Sequence, residues 1–249
     1  MPLALVTGGA GRLGRVIATH LAANGFDLVL HANGSRDQAR QFAAQISRGG
    51  GKATCSYCDF RYPRRIAGFF DAIVERHGPP DLVVNNASIF EYDFPGRASL
   101  RKLDESLAVH VQAPFQLLEM AYKTATRKRP VTAVNVLDQK VANLNPDYFS
   151  YTIGKCGLLA LTEMWQLNPT AKFRVFGILP GLLFPSGKQT VEDFERVRSD
   201  TPLRRNPSPQ EVANAILFFA QNKSVPGQNI SIDGGESLVP RTRDIAYQK

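Results

Sequence analysis

Residues 3–14 read LALVTGGAGRLG, an apolar run that stops in a glycine-rich turn and restarts as a helix-like pattern at Arg12. Glycines let the chain turn tightly, so that backbone N–H groups and a helix N-terminus can approach a pyrophosphate. Gly9, Gly11 and Gly14 satisfy G-x-G-x-x-G, and the place of that pattern between a first strand and a first helix is what makes it informative. Working outward, further short apolar runs follow: DLVLHA (27–32), KATCSY (52–57), DLVVNNA (81–87), VTAVNVL (131–137), FRVFGILPG (173–181) and QNISIDGG (228–235). Helical patterns separate them, over residues 12–24, 36–48, 63–77, 100–126, 151–167 and 209–221. Strands alternating with helices predict an α/β, Rossmann-like doubly wound sheet of seven mostly parallel strands with helices on both faces. No linker or repeat divides the chain, so 1–249 reads as a single domain, with residues 182–206 as a substrate loop carrying a short helix over 191–199.

Composition narrows the function classes. The 249 residues are enough to bury a large core, and a hydrophobic fraction of 43% is ordinary for a globular chain. No apolar run approaches the ~18 residues that a membrane span needs, and MPLALVTGG lacks the layout of a secretory signal, so a cytoplasmic location is expected. The net charge of +8 is spread over small separate groups (Arg61/Arg64/Arg65, Arg127–Arg129, Arg204/Arg205, Arg241/Arg243), which argues against nucleic acid and suits steering of an anionic ligand. Cys55 and Cys58 form a C-x-x-C without a second ligand pair, so structural thiols and no metal are expected.

The candidate chemistry lies at the carboxyl ends of the predicted strands. After the second strand, HANGSR (31–36) offers no carboxylate until Asp37; Ser35 and Arg36 can instead bind a 2′-phosphate, which favours NADPH over NADH. Asp59, after the third strand, could hydrogen-bond adenine or cap the helix that begins at Pro63. Asn86-Ala87-Ser88 follows the fourth strand, at the crevice where strand order should reverse. The stretch DQKVANLNPDYFSYTIGK (138–155) places Tyr151 and Lys155 on one helix face, where the ammonium is expected to lower the phenol's pKa. Asp138 would point into the same cleft, with burial raising its carboxyl pKa.

This ordered set, TGGAGRLG, Asp59, NNAS, YTIGK, Pro180-Gly181 and IDGG, resembles the short-chain dehydrogenase/reductase family over essentially the whole chain. Arg12 in the glycine loop, Asp138 at the usual catalytic Ser and Phe90 after NNAS-Ile look like the pteridine reductases. His110, where the family usually has Asn, looks like the bacterial dihydromonapterin reductases. The resemblance implies that Tyr151 works with Asp138 in proton transfer and that Lys155 binds the nicotinamide ribose. It implies NADPH contacts from Gly8, Arg12, Leu13, Asn33, Ser35, Arg36, Asp59 and Phe60, and from Asn86, Ala87, Ser88, Pro180, Gly181 and Leu182. Arg12 and Ser88 would touch the cofactor phosphates. A pterin would meet Arg12, Ser88, Phe90, Asp138, Tyr151 and Leu183, with Phe90 stacked on its ring.

Chemistry points the same way. An ionised Asp only accepts hydrogen bonds and would repel the alkoxide of a ketone reduction, whereas a pterin presents N–H groups and ring nitrogens that must gain protons. The function expected is NADPH-dependent reduction of a dihydropterin such as dihydromonapterin, dihydrobiopterin or dihydrofolate. A carbonyl or 3-oxoacyl reductase and a non-catalytic NADP-binding sensor are the alternatives. The family's habit implies a homotetramer through the 100–126 and 151–167 helices, where Leu158, Leu159, Leu161 and Met164 could serve a partner or face the sheet.

Overall fold

Strands of a parallel sheet alternate their side chains between two helical layers, and both sets must be apolar if both layers are to pack. That is the arrangement in the computed structural model, which describes residues 1–185, 190, 192, 194, 200–205 and 207–247. The strands are β1 (Leu3–Val6), β2 (Asp27–Ala32), β3 (Ala53–Tyr57), β4 (Leu82–Asn85), β5 (Val131–Val136), β6 (Phe173–Pro180) and β7 (Asn229–Ile232). They form one sheet in the order β3-β2-β1-β4-β5-β6-β7, every pair parallel.

One layer is α1 (Arg12–Ala23), α2 (Arg36–Arg48) and, near the chain end, Pro209–Gln221. Ile17, Leu21, Phe42, Ile216 and Phe219 from these helices meet Val6, Leu30, Val84, Val134 and Phe176 of the sheet. The opposite layer contains α3 (Ile66–His77), α4 (Leu100–Leu107), α5 (Ala113–Thr124) and α6 (Phe149–Gln166), which makes the Pro209–Gln221 helix α7. Phe70, Ile73, Leu117 and Leu118 pack there on Leu5, Val29, Val83 and Val175. Ser208 and Glu211 close a full capping box on α7, which explains the sharp start at Pro209.

Two helix expectations need correction, and the structure decides between readings that the sequence left open for Asp59 and Leu158. The 100–126 helix is interrupted by a π-turn at Ala108–Gln112, centred on His110, with Pro114 in the first turn of α5. The 63–77 helix begins as a 3-10 turn, Pro63–Arg65, whose N-cap Tyr62 gives no side-chain bond, so Asp59 does not cap it. Leu158 faces inward against Leu137 and Leu179, whereas Met164 on α6 is exposed. The short helix expected over 191–199 lies largely outside the described residues.

Cys55 packs toward the α1/α2 layer and Cys58 toward the α3/α5 layer, as strand alternation requires three residues apart. The pair therefore cannot close on one ligand, and both thiols are free. No cluster of three or more candidate metal ligands occurs among the described residues, and none of their helices is long and apolar enough to cross a membrane.

Candidate active site

Strand order reverses between β1 and β4, so the loops leaving these two strands diverge and open a cleft of about 540 Å³. A larger cavity of about 920 Å³, lined by Asp81, Arg129, Trp165 and Arg174, opens at the amino ends of the strands and holds none of the predicted residues. The candidate catalytic residues Asp138, Tyr151 and Lys155 line the smaller one.

The side expected to hold the nucleotide is made mainly of backbone. Thr7 Oγ1 accepts from the N–H groups of Asn86 and Ala87, each at 2.9 Å, and donates to the Val84 carbonyl at 3.2 Å. Asn86 Nδ2 returns to the Thr7 carbonyl at 2.8 Å, which locks the end of β4 against the glycine turn. A Cβ on Gly14 would run into the Gly8 carbonyl, so only glycine lets α1 start this close to the loop. The first turn of α1 has neither a side-chain cap nor an acidic residue, leaving its N–H groups for an anion.

His31, which the sequence reading passed over, sits beneath this loop at 3% exposure. Its Nδ1 accepts from Gly8 N–H at 3.1 Å, and its Nε2 donates to the Cys58 carbonyl at 2.8 Å. Phe60 stacks on the ring at 4.0 Å, so Phe60 supports the loop from below instead of lining the cleft. Burial lowers the His31 pKa to about 4, against smaller opposing effects of the Cys58 carbonyl and Asp59. Only a neutral ring can accept from Gly8.

The predicted residues Gly8, Arg12, Leu13, Asn33, Ser35, Asn86, Ala87, Ser88, Phe90, Asp138, Tyr151, Lys155, Pro180, Gly181, Leu182 and Leu183 all line the cleft. Arg36, Asp59 and Phe60 stand outside its wall. Arg36 is exposed, its guanidinium 5.0 Å from the Tyr57 ring. Asp59 is held at 2.7 Å by Arg61, whose hydrogen bonds keep the carboxylate pKa below its usual value. Arg12 reaches over the mouth, donating to the Pro185 carbonyl at 3.0 Å with Phe184 at 4.9 Å.

On the opposite wall Tyr151 Oη donates to Asp138 Oδ2 at 2.6 Å, and Asp138 Oδ1 accepts from Lys140 N–H at 2.9 Å. Burial raises the Asp138 pKa, as expected. Tyr151 departs from expectation: burial first, then the Asp138 carboxylate, raise its pKa well above the ordinary phenol value. Lys155 does not reverse this, because its Nζ points to the Val136 carbonyl at 2.7 Å and lies 5.7 Å from the Tyr151 ring. The phenol is thus a held proton donor. Burial lowers the Lys155 pKa to about 8.

Phe90 stacks one face on Tyr148 at 4.0 Å and meets Tyr151 edge-on at 4.7 Å, and it remains 46% exposed to the cleft. Tyr148 begins α6 in a left-handed conformation, φ 55°, a strained state for a tyrosine. The chain's last described segment holds this corner. Arg243 grips Asp147 with two bonds of 2.8 Å, Asp244 pairs with the buried Lys140 at 2.9 Å, and Tyr247 Oη meets Tyr148 Oη at 3.2 Å. Asp244, Ile245, Gln139 and Lys140 thereby enter the cleft wall. No sequence pattern marked Lys140 and Asp244, because their pairing joins distant segments.

This geometry has close counterparts. A family model described as enoyl-(acyl carrier protein) reductase matches residues 9–237. The crystal structure of FolM alternative dihydrofolate reductase 1 from Brucella suis in complex with NADP is 37% identical, with a TM-score of 0.90 over 97% of each chain. The same-named protein from Brucella canis, also with NADP, gives 37% and 0.91 over 98% of this chain and 97% of that one. Among curated proteins, the 3-oxoacyl-[acyl-carrier-protein] reductase FabG of Staphylococcus epidermidis is 24% identical, covering 93% of this chain and 97% of its own. A putative ketoacyl reductase of the granaticin polyketide synthase of Streptomyces violaceoruber is 29% identical over 96% and 97%. The family model spans residues 9–237 and these relatives are covered along nearly their whole length, so the chain is an oxidoreductase of the short-chain dehydrogenase/reductase family.

Proposed function

We propose that the protein is an NADPH-dependent pteridine reductase that converts a dihydropterin to its tetrahydro form. The observation that carries this reading is the 2.6 Å bond between Tyr151 and Asp138, a carboxyl group where a ketone reductase needs a neutral hydroxyl donor. The two Brucella relatives, named as alternative dihydrofolate reductases with NADP, support it.

NADPH fits the residues present. The uncapped first turn of α1 suits a pyrophosphate, the carboxylate-free Asn33–Ser35 turn suits a 2′-phosphate, and Lys155 suits ribose hydroxyls. When bound, NADPH supplies a hydride to the C6=N5 bond of the dihydropterin, and N5 must then gain one proton. Tyr151 holds such a proton inside the cleft, because burial and the Asp138 carboxylate keep the phenol protonated to higher pH than in water. The open face of Phe90 offers the ring a stacking surface. Exposed Met164 on α6 and Phe115 on α5 suit contacts between copies, in line with a homotetramer.

A second reading, reduction of a 3-oxoacyl thioester, is favoured by the names of the curated relatives. NADPH oxidation with dihydromonapterin, dihydrobiopterin, dihydrofolate and an acetoacetyl thioester separates the two. Rapid turnover of a dihydropterin, lost by about 10²-fold or more in Asp138→Ser, is the expected result. Thioester turnover preserved or improved in Asp138→Ser, with no pterin turnover by the unaltered protein, would overturn the proposal.

A further inference from the structure

Ser88, His110 and Ser106 form a chain whose proton directions are set from its far end. Ser106 Oγ lies 2.7 Å from the Ser150 carbonyl oxygen, which can only accept, so the Ser106 proton is committed there. His110 Nδ1 lies 3.1 Å from the same Oγ and must therefore be the donor. Burial and the Lys155 ammonium hold His110 well below the ordinary imidazole range, so the ring is neutral and Nε2 carries a lone pair. Ser88 Oγ stands 2.9 Å from that Nε2 and must donate to it; its other acceptor, the Ile89 carbonyl, is at a marginal 3.5 Å. The Ser88 proton thus points into the protein, and only lone pairs face the cleft that Ser88 lines.

The chain is built in tightly. The π-turn at Ala108–Gln112 brings the His110 ring against α6. A Cβ on Gly154 would overlap Ser106 Oγ and come within 2.9 Å of His110 Nδ1, so this approach requires glycine. His110 is 1% exposed, and Ser150 is itself fixed through its N–H, 3.0 Å from Asp93 Oδ1.

We propose that His110 is a positioning residue that makes Ser88 an obligate hydrogen-bond acceptor, so that Ser88 meets an N–H of the bound ligand and not a phosphate oxygen. The resemblance assigned Ser88 to the cofactor phosphates as well as to the substrate; a hydroxyl with its proton turned inward has nothing to donate to a phosphate. Resting on the pteridine reductase reading, the partner is an amino or ring N–H of the dihydropterin. A ketone oxygen would find no donor there.

Three measurements test this. Imidazole ¹⁵N spectra, with the four histidines assigned by single His→Gln variants, should show His110 as the Nδ1–H tautomer both alone and with NADP⁺, opposite to His31. Ser88→Ala should raise the dihydropterin KM about tenfold while the NADPH Kd stays within about twofold. In the Ser88→Ala background, His110→Gln should add no further KM loss, because His110 acts only through that hydroxyl. An Nε2–H or doubly protonated His110 in the NADP⁺ complex would overturn the proposal. So would a Ser88→Ala protein with weakened NADPH binding and an unchanged KM. Absence of pterin turnover in the unaltered protein would instead remove the pteridine reductase reading, while the spectra and the NADPH affinities would still decide the role of His110.

Discussion

The two walls of the cleft are built by different means. The wall proposed for the nucleotide, called the nucleotide wall below, is mostly backbone, held by a few local devices: Thr7 against Asn86 and Ala87, His31 under Gly8, and α1 starting directly from the glycine turn. The wall proposed for the reaction, called the reaction wall below, is mostly side chains, gathered from segments as far apart as Lys140 and Asp244. Backbone geometry recognises what dinucleotides share, and side-chain geometry recognises what substrates do not. Damage to the first wall should therefore appear in nucleotide affinity and stability, and damage to the second in turnover and substrate KM.

The largest effect expected comes from the reaction wall. Tyr151→Phe keeps the ring against Phe90 and His110 but removes the hydroxyl bound to Asp138. Single-turnover and steady-state kinetics should show kcat lower by about 10²–10⁴-fold, with the NADPH Kd within about twofold. A parallel loss of NADPH affinity would mean that the walls are not separable.

Next comes stability, from the nucleotide wall. His31 is neutral in the fold, with its pKa lowered from 6.5 to about 4. A depressed folded pKa gives stability that is fully present above the unfolded value and is lost as pH falls toward the folded one. Unfolding free energy should therefore drop by about 3 kcal/mol between pH of about 6.5 and about 4 from this residue alone. Denaturant titrations of His31→Gln, which can still accept from Gly8, should show a shallower acid slope; an unchanged slope would place the acid sensitivity elsewhere.

Lys155 tests the boundary between the walls. Its ammonium pKa is lowered to about 8, so the charge is present below that pH and lost above it. NADPH affinity, followed by fluorescence, should be flat at lower pH and weaken by up to about tenfold for each unit above about 8. Lys155→Met should bind more weakly and without this dependence.

The same contrast explains what the sequence made legible. Strand runs, the glycine turn, NNA and the Tyr151/Lys155 spacing are short-range patterns, and each corresponds to an element or a cleft residue in the structure. His31 carried a usable signal, a polar residue within the apolar stretch 28–32 of β2, where burial demands a partner. The π-turn at His110 and the Gly154 contact were not legible, because the first is a local change of helix pitch and the second a fit between two helices. The clasp of Arg243 and Asp244 on the reaction wall is likewise a product of the finished fold. The reversed shift of Tyr151 had a different origin: the sequence supplied Lys155 as a neighbour but not the direction of its ammonium, which is turned to Val136.

The smallest effect concerns the outer edge of the nucleotide wall. Arg36 opens α2 just beyond Ser35, rests on Tyr57, and among the described residues pairs with no carboxylate; the nearest acid in sequence, Asp37, is engaged by Arg40 at 3.2 Å. Its guanidinium is therefore open to a 2′-phosphate, although the cleft wall as it stands includes Ser35 and not Arg36. An exposed contact of this kind contributes about 1 kcal/mol or less, so Arg36→Ala should weaken NADPH by only about three- to fivefold and leave NADH unchanged. Ser35→Ala, which removes a group already in the wall, should match or exceed that loss. If NADH and NADPH weaken equally in Arg36→Ala, the residue serves only the general positive field, and discrimination between the two nucleotides falls to the Asn33–Ser35 turn, whose lack of a carboxylate spares the 2′-phosphate a repulsion that an acid would impose.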